Sequence, residues 1–195
     1  MNIVLFPGSF NPIHIGHLFL IKELLKLEGV DQVWISVTPL NPLKDANEIW
    51  PTSFRKELVK KAILTVPKVR LTEVEEELPF PLYTYNTLEY LKKQYPQHQF
   101  SLLVGEDNFS SFDRWYKSQE LIKTFPLYIF PRRLNSISPK KNQYSGIDVS
   151  WLDAPMMDVS SSEIRNKINK CEPFGDLVPC DIEKKIIEYF NLNLL

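Results

Sequence analysis

Two of the chain's three histidines, His14 and His17, fall in one short stretch, Gly8-Ser9-Phe10-Asn11-Pro12-Ile13-His14-Ile15-Gly16-His17. Imidazoles this close together can donate hydrogen bonds to phosphate oxygens near neutral pH. The spacing alone also fits a buried structural pair or part of a metal site. The glycines favour a ligand: Gly8 lets backbone approach a bound group, and Gly16 opens space between the two rings. A metal site needs further ligands, and Cys171 and Cys180 do not stand at a metal-binding spacing from the histidines.

A second stretch with chemical content is Asp158-Val159-Ser160-Ser161-Ser162-Glu163-Ile164-Arg165. Ser160 with Glu163 fits a capping box and predicts a helix start. Capping explains neither Ser161 and Ser162 nor Arg165. A cation near a helix N-terminus opposes the macrodipole, which suits either a solvated side chain or a bound anion. Hydroxyls, free N–H groups and a guanidinium together could hold a polyphosphate.

Further candidates lie between these two. Lys44, in Pro39-Leu40-Asn41-Pro42-Leu43-Lys44, is a solvated lysine or a phosphate ligand, and Arg55 stands where it could support the latter. Gly105-Glu106-Asp107 follows an apolar run, and an acid after a strand can accept hydrogen bonds from ribose hydroxyls. Trp115, in Asp113-Arg114-Trp115-Tyr116-Lys117, reads either as a core aromatic or as a platform for a flat heterocycle.

These residues need elements to position them. Apolar strand-like runs recur at Ile3–Phe6, Val33–Val37, Val69–Thr72, Phe100–Val104, Leu127–Phe130 and Ile147–Trp151. Helical patterns fall between most of them: Leu18–Glu28, Thr52–Thr65 (capped by Thr52 or Ser53), Thr84–Gln94 and a short Glu120–Lys123. Alternation of this kind predicts an α/β fold with a mainly parallel, doubly wound sheet. The last ~35 residues lose the strand pattern and predict two helices, Ser161–Asn169 and Asp181–Asn191. The histidines then sit where a buried strand turns into a helix, at the carboxyl edge of the sheet, where such folds bind ligands. The irregular segments Pro39–Trp50 and Leu78–Tyr83 should share that edge.

Composition bounds the rest. With 195 residues, 44% of them hydrophobic, the chain fits a single domain, residues 1–195, whose part from about 160 onwards is helical. A net charge of −1 gives no bulk attraction to nucleic acid or to an anionic membrane, so an anionic substrate needs local positive groups. Two cysteines suggest free thiols. No signal peptide or membrane span is evident, which predicts a cytoplasmic protein. Homo-oligomerisation is left open.

Taken together, GSFNPIHIGHL and VSSSEIR resemble the two phosphate motifs of the HxGH nucleotidyltransferases. The intermediate pieces narrow the resemblance to the nicotinate-nucleotide adenylyltransferase family. NPLK is similar to its PPHK loop, Pro81-Leu82-Tyr83-Thr84 with Thr87-Leu88 to its substrate loop and helix, LLVGEDNFSSFDRW to its GxD segment and tryptophan, and Leu177-Val178-Pro179 to its C-terminal LVP. Departures are Asn11, where the family often has aspartate, and Leu43, where it often has histidine. The second bears on one nucleotide contact and leaves Lys44 in place.

The resemblance implies a Rossmann-like sheet and transfer of the adenylyl group of ATP to nicotinate mononucleotide, in NAD biosynthesis. It implies catalytic roles for His14, His17, Lys44 and Arg165. ATP would meet Gly8, Ser9, Phe10, Gly16, Gly105, Asp107, Ser161 and Ser162. Thr84 and Tyr85 would meet the nicotinate carboxylate, and Trp115 its ring. Mg²⁺ would arrive with ATP and not on a protein metal site. Other readings in view are an enzyme for nicotinamide mononucleotide or for both acceptors, phosphopantetheine adenylyltransferase, and a non-catalytic nucleotide-binding module.

Overall fold

A computed structural model describes residues 1–39, 49–131, 148–155 and 157–191. Six strands form one sheet: β1 (Asn2–Gly8), β2 (Gln32–Val37), β3 (Val69–Thr72), β4 (Gln99–Gly105), β5 (Leu127–Phe130) and β6 (Val149–Trp151). Their order is β3-β2-β1-β4-β5-β6, and each neighbouring pair is parallel. The chain leaves β1 toward β2 on one side and returns on the other side as β4. The carboxyl ends of β1 and β4 therefore flank the switch point where open α/β sheets bind ligands. Register puts Gly8 beside Val37 and Gly105 beside Phe130, so the loops that follow these strands begin at one level.

Both faces of the sheet are covered, because residues alternate across a strand. In β1, Val4 and Phe6 enter one core, while Ile3 and Leu5 enter the other. The first core is closed by helices α1 (Ile15–Leu24), α2 (Thr52–Ile63), α6 (Ser161–Asn169) and α7 (Cys180–Phe190). The second is closed by α3 (Thr84–Gln94), the single turn α4 (Glu106–Phe109) and α5 (Ser118–Thr124). The predicted α/β doubly wound, Rossmann-like architecture is the one observed, and every strand pair in it is parallel. No described helix is long and apolar enough to cross a membrane.

The predicted α3 and α6 boundaries match those found, and those of α2, α5 and α7 differ by one or two residues at one or both ends. Helix α1 moves most, and the cap of α2 differs from the expected one. Helix α1 begins at Ile15, not Leu18, because His14 occupies the capping position with extended backbone, φ −144° and ψ 173°. Its carbonyl accepts from His17 N–H at 3.0 Å and from Leu18 N–H at 3.3 Å, so the histidines are part of the helix start and not a lead-in to it. Helix α2 is preceded by Pro51 as its cap residue, and Thr52 is its first residue. The Thr52 hydroxyl accepts from Arg55 instead of capping the backbone.

Candidate active site

The β1–α1 turn carries the histidine pair. The His14 N–H donates to Nδ1 of His17 at 3.2 Å. A neutral imidazole that accepts at Nδ1 carries its proton on Nε2, so this bond sets the tautomer and makes Nε2–H the donor of the His17 ring. The two rings stack with centroids 3.7 Å apart and planes 28° from parallel. Phe10 and Phe6 lie behind the His17 ring, at 4.9 and 6.0 Å. Phe10 is buried at a left-handed φ of 43°, an unusual conformation for a bulky residue that its packing against Phe6 and His17 holds in place. Its ring is thus a prop for His17, and what Phe10 can offer a ligand is backbone.

The glycines of the turn answer to close approach. A Cβ on Gly8 would come within 2.9 Å of the Phe10 ring, which folds back over it. A Cβ on Gly16 would meet Val159 Cγ1 at 2.8 Å and His14 Nδ1 at 3.1 Å. Gly16 therefore does not separate the two imidazoles, which stack. It lets the chain leading into α6 pack directly on the first turn of α1.

That packing brings in the second sequence motif. Ser160 caps α6 by accepting from the Glu163 N–H at 3.1 Å, one of the two bonds of the expected capping box. Ser161 Oγ donates to the Pro12 carbonyl at 2.9 Å, and Arg165 Nη1 donates to the Asn11 carbonyl at 3.0 Å. Arg165 Nη2 also reaches Ser162 Oγ at 3.4 Å. The bonds to Pro12 and Asn11 span 149 and 154 residues of sequence and join the N-termini of α1 and α6 at one turn. Both helix ends present N–H groups and a partial positive charge to the same place. Asn11, the departure from the family's aspartate, accepts the Trp50 N–H on Oδ1 at 3.1 Å and so ties the turn to the chain entering α2.

Arg55 is not a phosphate ligand. It is fully buried, and all five of its N–H groups point at protein oxygens. Nε donates to the Trp50 carbonyl at 2.9 Å. Nη1 donates to Ser9 at 2.5 Å and Thr38 at 3.0 Å, and Nη2 donates to Pro39 at 2.9 Å and the Thr52 hydroxyl at 3.0 Å. Burial lowers its pKa to about 10, against a nearby Glu75 that raises it, so it remains a cation at pH 7. Glu75, itself buried beside Ser36, Lys56 and Arg55, has its carboxyl pushed above the usual range by that burial.

Gly105 ends β4 and is the residue before α4, with Glu106 buried and Asp107 exposed. Thr84 and Tyr85 open α3. The segment holding Trp115 folds against them: Tyr83 stacks on Tyr116 at 4.4 Å, and Tyr85 meets Tyr116 edge-on at 6.4 Å. Trp115 packs one side on Phe112 at 5.2 Å and is half-buried. Lys117, at a left-handed φ of 51°, holds its ammonium 4.8 Å from the centre of the Tyr85 ring. The sequence reading missed Tyr83, Tyr116 and Lys117, although the run of aromatics around Trp115 was its signal. Lys44 lies outside the described residues. Among the described residues, no three His, Cys, Asp or Glu side chains gather as a metal site.

The chain matches the cytidylyltransferase-like family over residues 5–167. A Bacteroides fragilis protein named "Probable nicotinate-nucleotide adenylyltransferase" is 39% identical over 184 residues, covering 94% of this chain and 90% of that one. One of the same name from Porphyromonas gingivalis is 41% identical, covering 84% and 82%. Among solved structures, the Plasmodium falciparum nicotinic acid mononucleotide adenylyltransferase complexed with NaAD superposes with a TM-score of 0.80 at 20% identity. It covers 100% of this chain and 99% of that one, a likeness of fold. The chain thus belongs to the nicotinate-nucleotide adenylyltransferase family of the cytidylyltransferase-like nucleotidyltransferases.

Proposed function

We propose that this protein joins ATP and nicotinate mononucleotide into deamido-NAD with release of pyrophosphate, in NAD biosynthesis. The observation that carries the reading is the convergence of α1 and α6 on the β1–α1 turn, fixed by Ser161 on Pro12 and Arg165 on Asn11. It gathers two imidazoles, two helix N-termini and a guanidinium beside the sheet's switch point. Such a place suits a polyphosphate and has no obvious use in a purely structural domain.

A phosphate oxygen of the mononucleotide forms a bond to the α-phosphorus of ATP. The bond from that phosphorus to the bridging oxygen breaks, and its electron pair leaves with pyrophosphate. The attacking oxygen is already ionised, so no covalent enzyme intermediate and no general base are required. Catalysis reduces to holding two anions in line and stabilising charge at the α-phosphate. His17, with Nε2–H as its donor, is assigned to the α-phosphate, and His14 to the adjoining phosphates. The Ser161 backbone N–H, Ser162, Arg165 and the α6 N-terminus are assigned to the β- and γ-phosphates, with Lys44 opposite. Arg165 then exchanges or shares its bond to the Asn11 carbonyl with a phosphate oxygen. Gly8, Ser9, Phe10 and Gly16 offer backbone, and Gly105 and Asp107 are assigned to the adenosine ribose. The donor set at the turn is cationic or neutral and builds no cage for a divalent ion, so Mg²⁺ is read as arriving on ATP, where it neutralises phosphate charge.

At the pyridine end, backbone N–H groups of Thr84 and Tyr85 are assigned to the nicotinate carboxylate, and Trp115 to the ring. Donors of this kind favour a carboxylate over an amide, whose NH₂ cannot accept. The partners are thus ATP and nicotinate mononucleotide, in a cytoplasmic enzyme. The test is pyrophosphate release with ATP and Mg²⁺ against nicotinate mononucleotide, nicotinamide mononucleotide and phosphopantetheine in parallel. Strong preference for the first is expected. Preference for the amide would overturn the pocket assignment, and ATP binding without release on any acceptor would overturn the enzyme reading.

A further inference from the structure

We propose that Arg55 is a positioning residue for adenylyl transfer: one guanidinium, holding the Ser9, Thr38, Pro39 and Trp50 carbonyls together, fixes the histidine turn relative to the chain that follows β2. The inference rests on the function proposed above and deepens it.

The carbonyls come from three separate places. Ser9 is at the start of the histidine turn, Thr38 and Pro39 follow β2, and Trp50 precedes α2. Loops at the end of a sheet have no ladder to fix their spacing, and these three have backbone oxygens turned toward one another. Carbonyl oxygens carry partial negative charge, so bringing several together needs a cation with as many donors as there are acceptors. Guanidinium supplies five donors in a rigid plane, and here each has an acceptor. Burying it is costly unless every donor is met, so the same bonds that satisfy Arg55 also fix the loops.

The path from Arg55 to the histidines is short. Ser9 is five residues before His14. Trp50, whose carbonyl takes Arg55 Nε, donates its own N–H to Asn11 Oδ1 in the middle of the turn. The turn is therefore held at two points through one side chain, from the α2 side. Arg165 and Ser161 hold it from the α6 side. Arg55 touches no substrate in this scheme. Its effect is the placement of His14 and His17, and a misplacement of about 1 Å in a phosphoryl-transfer site costs on the order of a hundredfold in rate.

Lysine is the informative substitution. It keeps the charge and the aliphatic stem but has three donors in a different geometry. The experiment measures kcat and both KM values for Arg55→Lys by dinucleotide formation, beside circular dichroism and melting to give the folded fraction. Expected are a folded protein, a kcat at least thirtyfold lower per folded molecule, a KM for ATP raised severalfold, and a KM for nicotinate mononucleotide within threefold of wild type. A loss of activity that tracks the folded fraction, with both KM values unchanged, would show a merely structural arginine and overturn the proposal. So would wild-type kcat. If Arg55→Lys does not fold, Thr52→Val carries the test by removing one acceptor: a threefold or larger fall in kcat with unchanged melting supports positioning, and an unchanged kcat refutes it. If the wild-type protein itself forms no dinucleotide, the functional reading has failed. Arg55 is then judged by ATP titration alone, with a tenfold weaker affinity in Arg55→Lys expected and an equal affinity contradicting the proposal.

Discussion

Gly16→Ala separates a structural account of the site from a helix-propensity account. Gly16 is the second residue of α1 and lies in an ordinary helical region, with no positive φ. By propensity alone, alanine should stabilise the helix by up to about 1 kcal/mol. The surroundings predict the reverse. The new methyl would sit 2.8 Å from Val159 Cγ1, well inside the ~3.5 Å at which carbon pairs pack. Val159 is β-branched and stiff at χ1, so relief requires backbone movement at the entry to α6. The same methyl would lie 3.1 Å from His14 Nδ1, in a ring stacked at 3.7 Å on His17. Overpacking of this kind costs roughly 1–3 kcal/mol, so the net is a loss of about 0–2 kcal/mol. The activity effect should be larger than the stability effect, because the movement separates α6 from the histidines: kcat/KM should fall about 10–100-fold. Thermal melting and steady-state pyrophosphate release on one preparation measure both. A variant that melts higher than wild type and keeps full kcat/KM would refute the packing argument.

Other expectations follow from the same geometry. His17→Ala should lower kcat per folded molecule by about a hundredfold or more, as removal of one transition-state donor does; near-normal turnover would remove His17 from the α-phosphate. Trp115→Ala should raise the KM for nicotinate mononucleotide roughly tenfold and leave that for ATP alone, since one ring stack is worth ~1–3 kcal/mol; equal shifts in both would show a packing role only. Glu75→Gln tests the buried carboxyl. Its pKa is raised by burial above the unfolded value of 4.5, so the folded state favours the protonated form. Stability from this group is full below that value and declines as pH rises through the folded pKa. The variant should therefore melt with wild type near pH 4 and progressively above it toward pH 7. A lower melting point at pH 7 would mean that the charges of Arg55 and Lys56 outweigh the burial.

Much of this was legible in local sequence. Continuous apolar runs such as Ile3–Phe6 predicted buried strands, and the helical pattern that follows the histidines predicted a strand-to-helix turn. Ser160 marked the start of α6 because a serine N-cap is a local device. Helix α1 was read three residues late because histidine is not a usual cap, and its bond to another histidine three residues on is not a pattern sequence statistics carry. The role of Arg55 was not legible for a different reason: sequence placed it only where it could support Lys44, and the folded chain shows the Ser9, Thr38, Pro39 and Trp50 carbonyls converging on it. The same holds for Arg165, whose bond to Asn11 crosses 154 positions. The Tyr83–Tyr116 stack likewise depends on two segments distant in sequence meeting in the fold.

The central claim is that the joined α1 and α6 N-termini transfer an adenylyl group. Incubation of the protein with α-³²P-labelled ATP, Mg²⁺ and nicotinate mononucleotide tests it most directly, with separation of nucleotides and denatured protein. The account predicts label in the dinucleotide, in equal amount to the pyrophosphate released, and none on the protein. Label left in ATP despite measurable ATP binding, or label covalently attached to the protein, would contradict it.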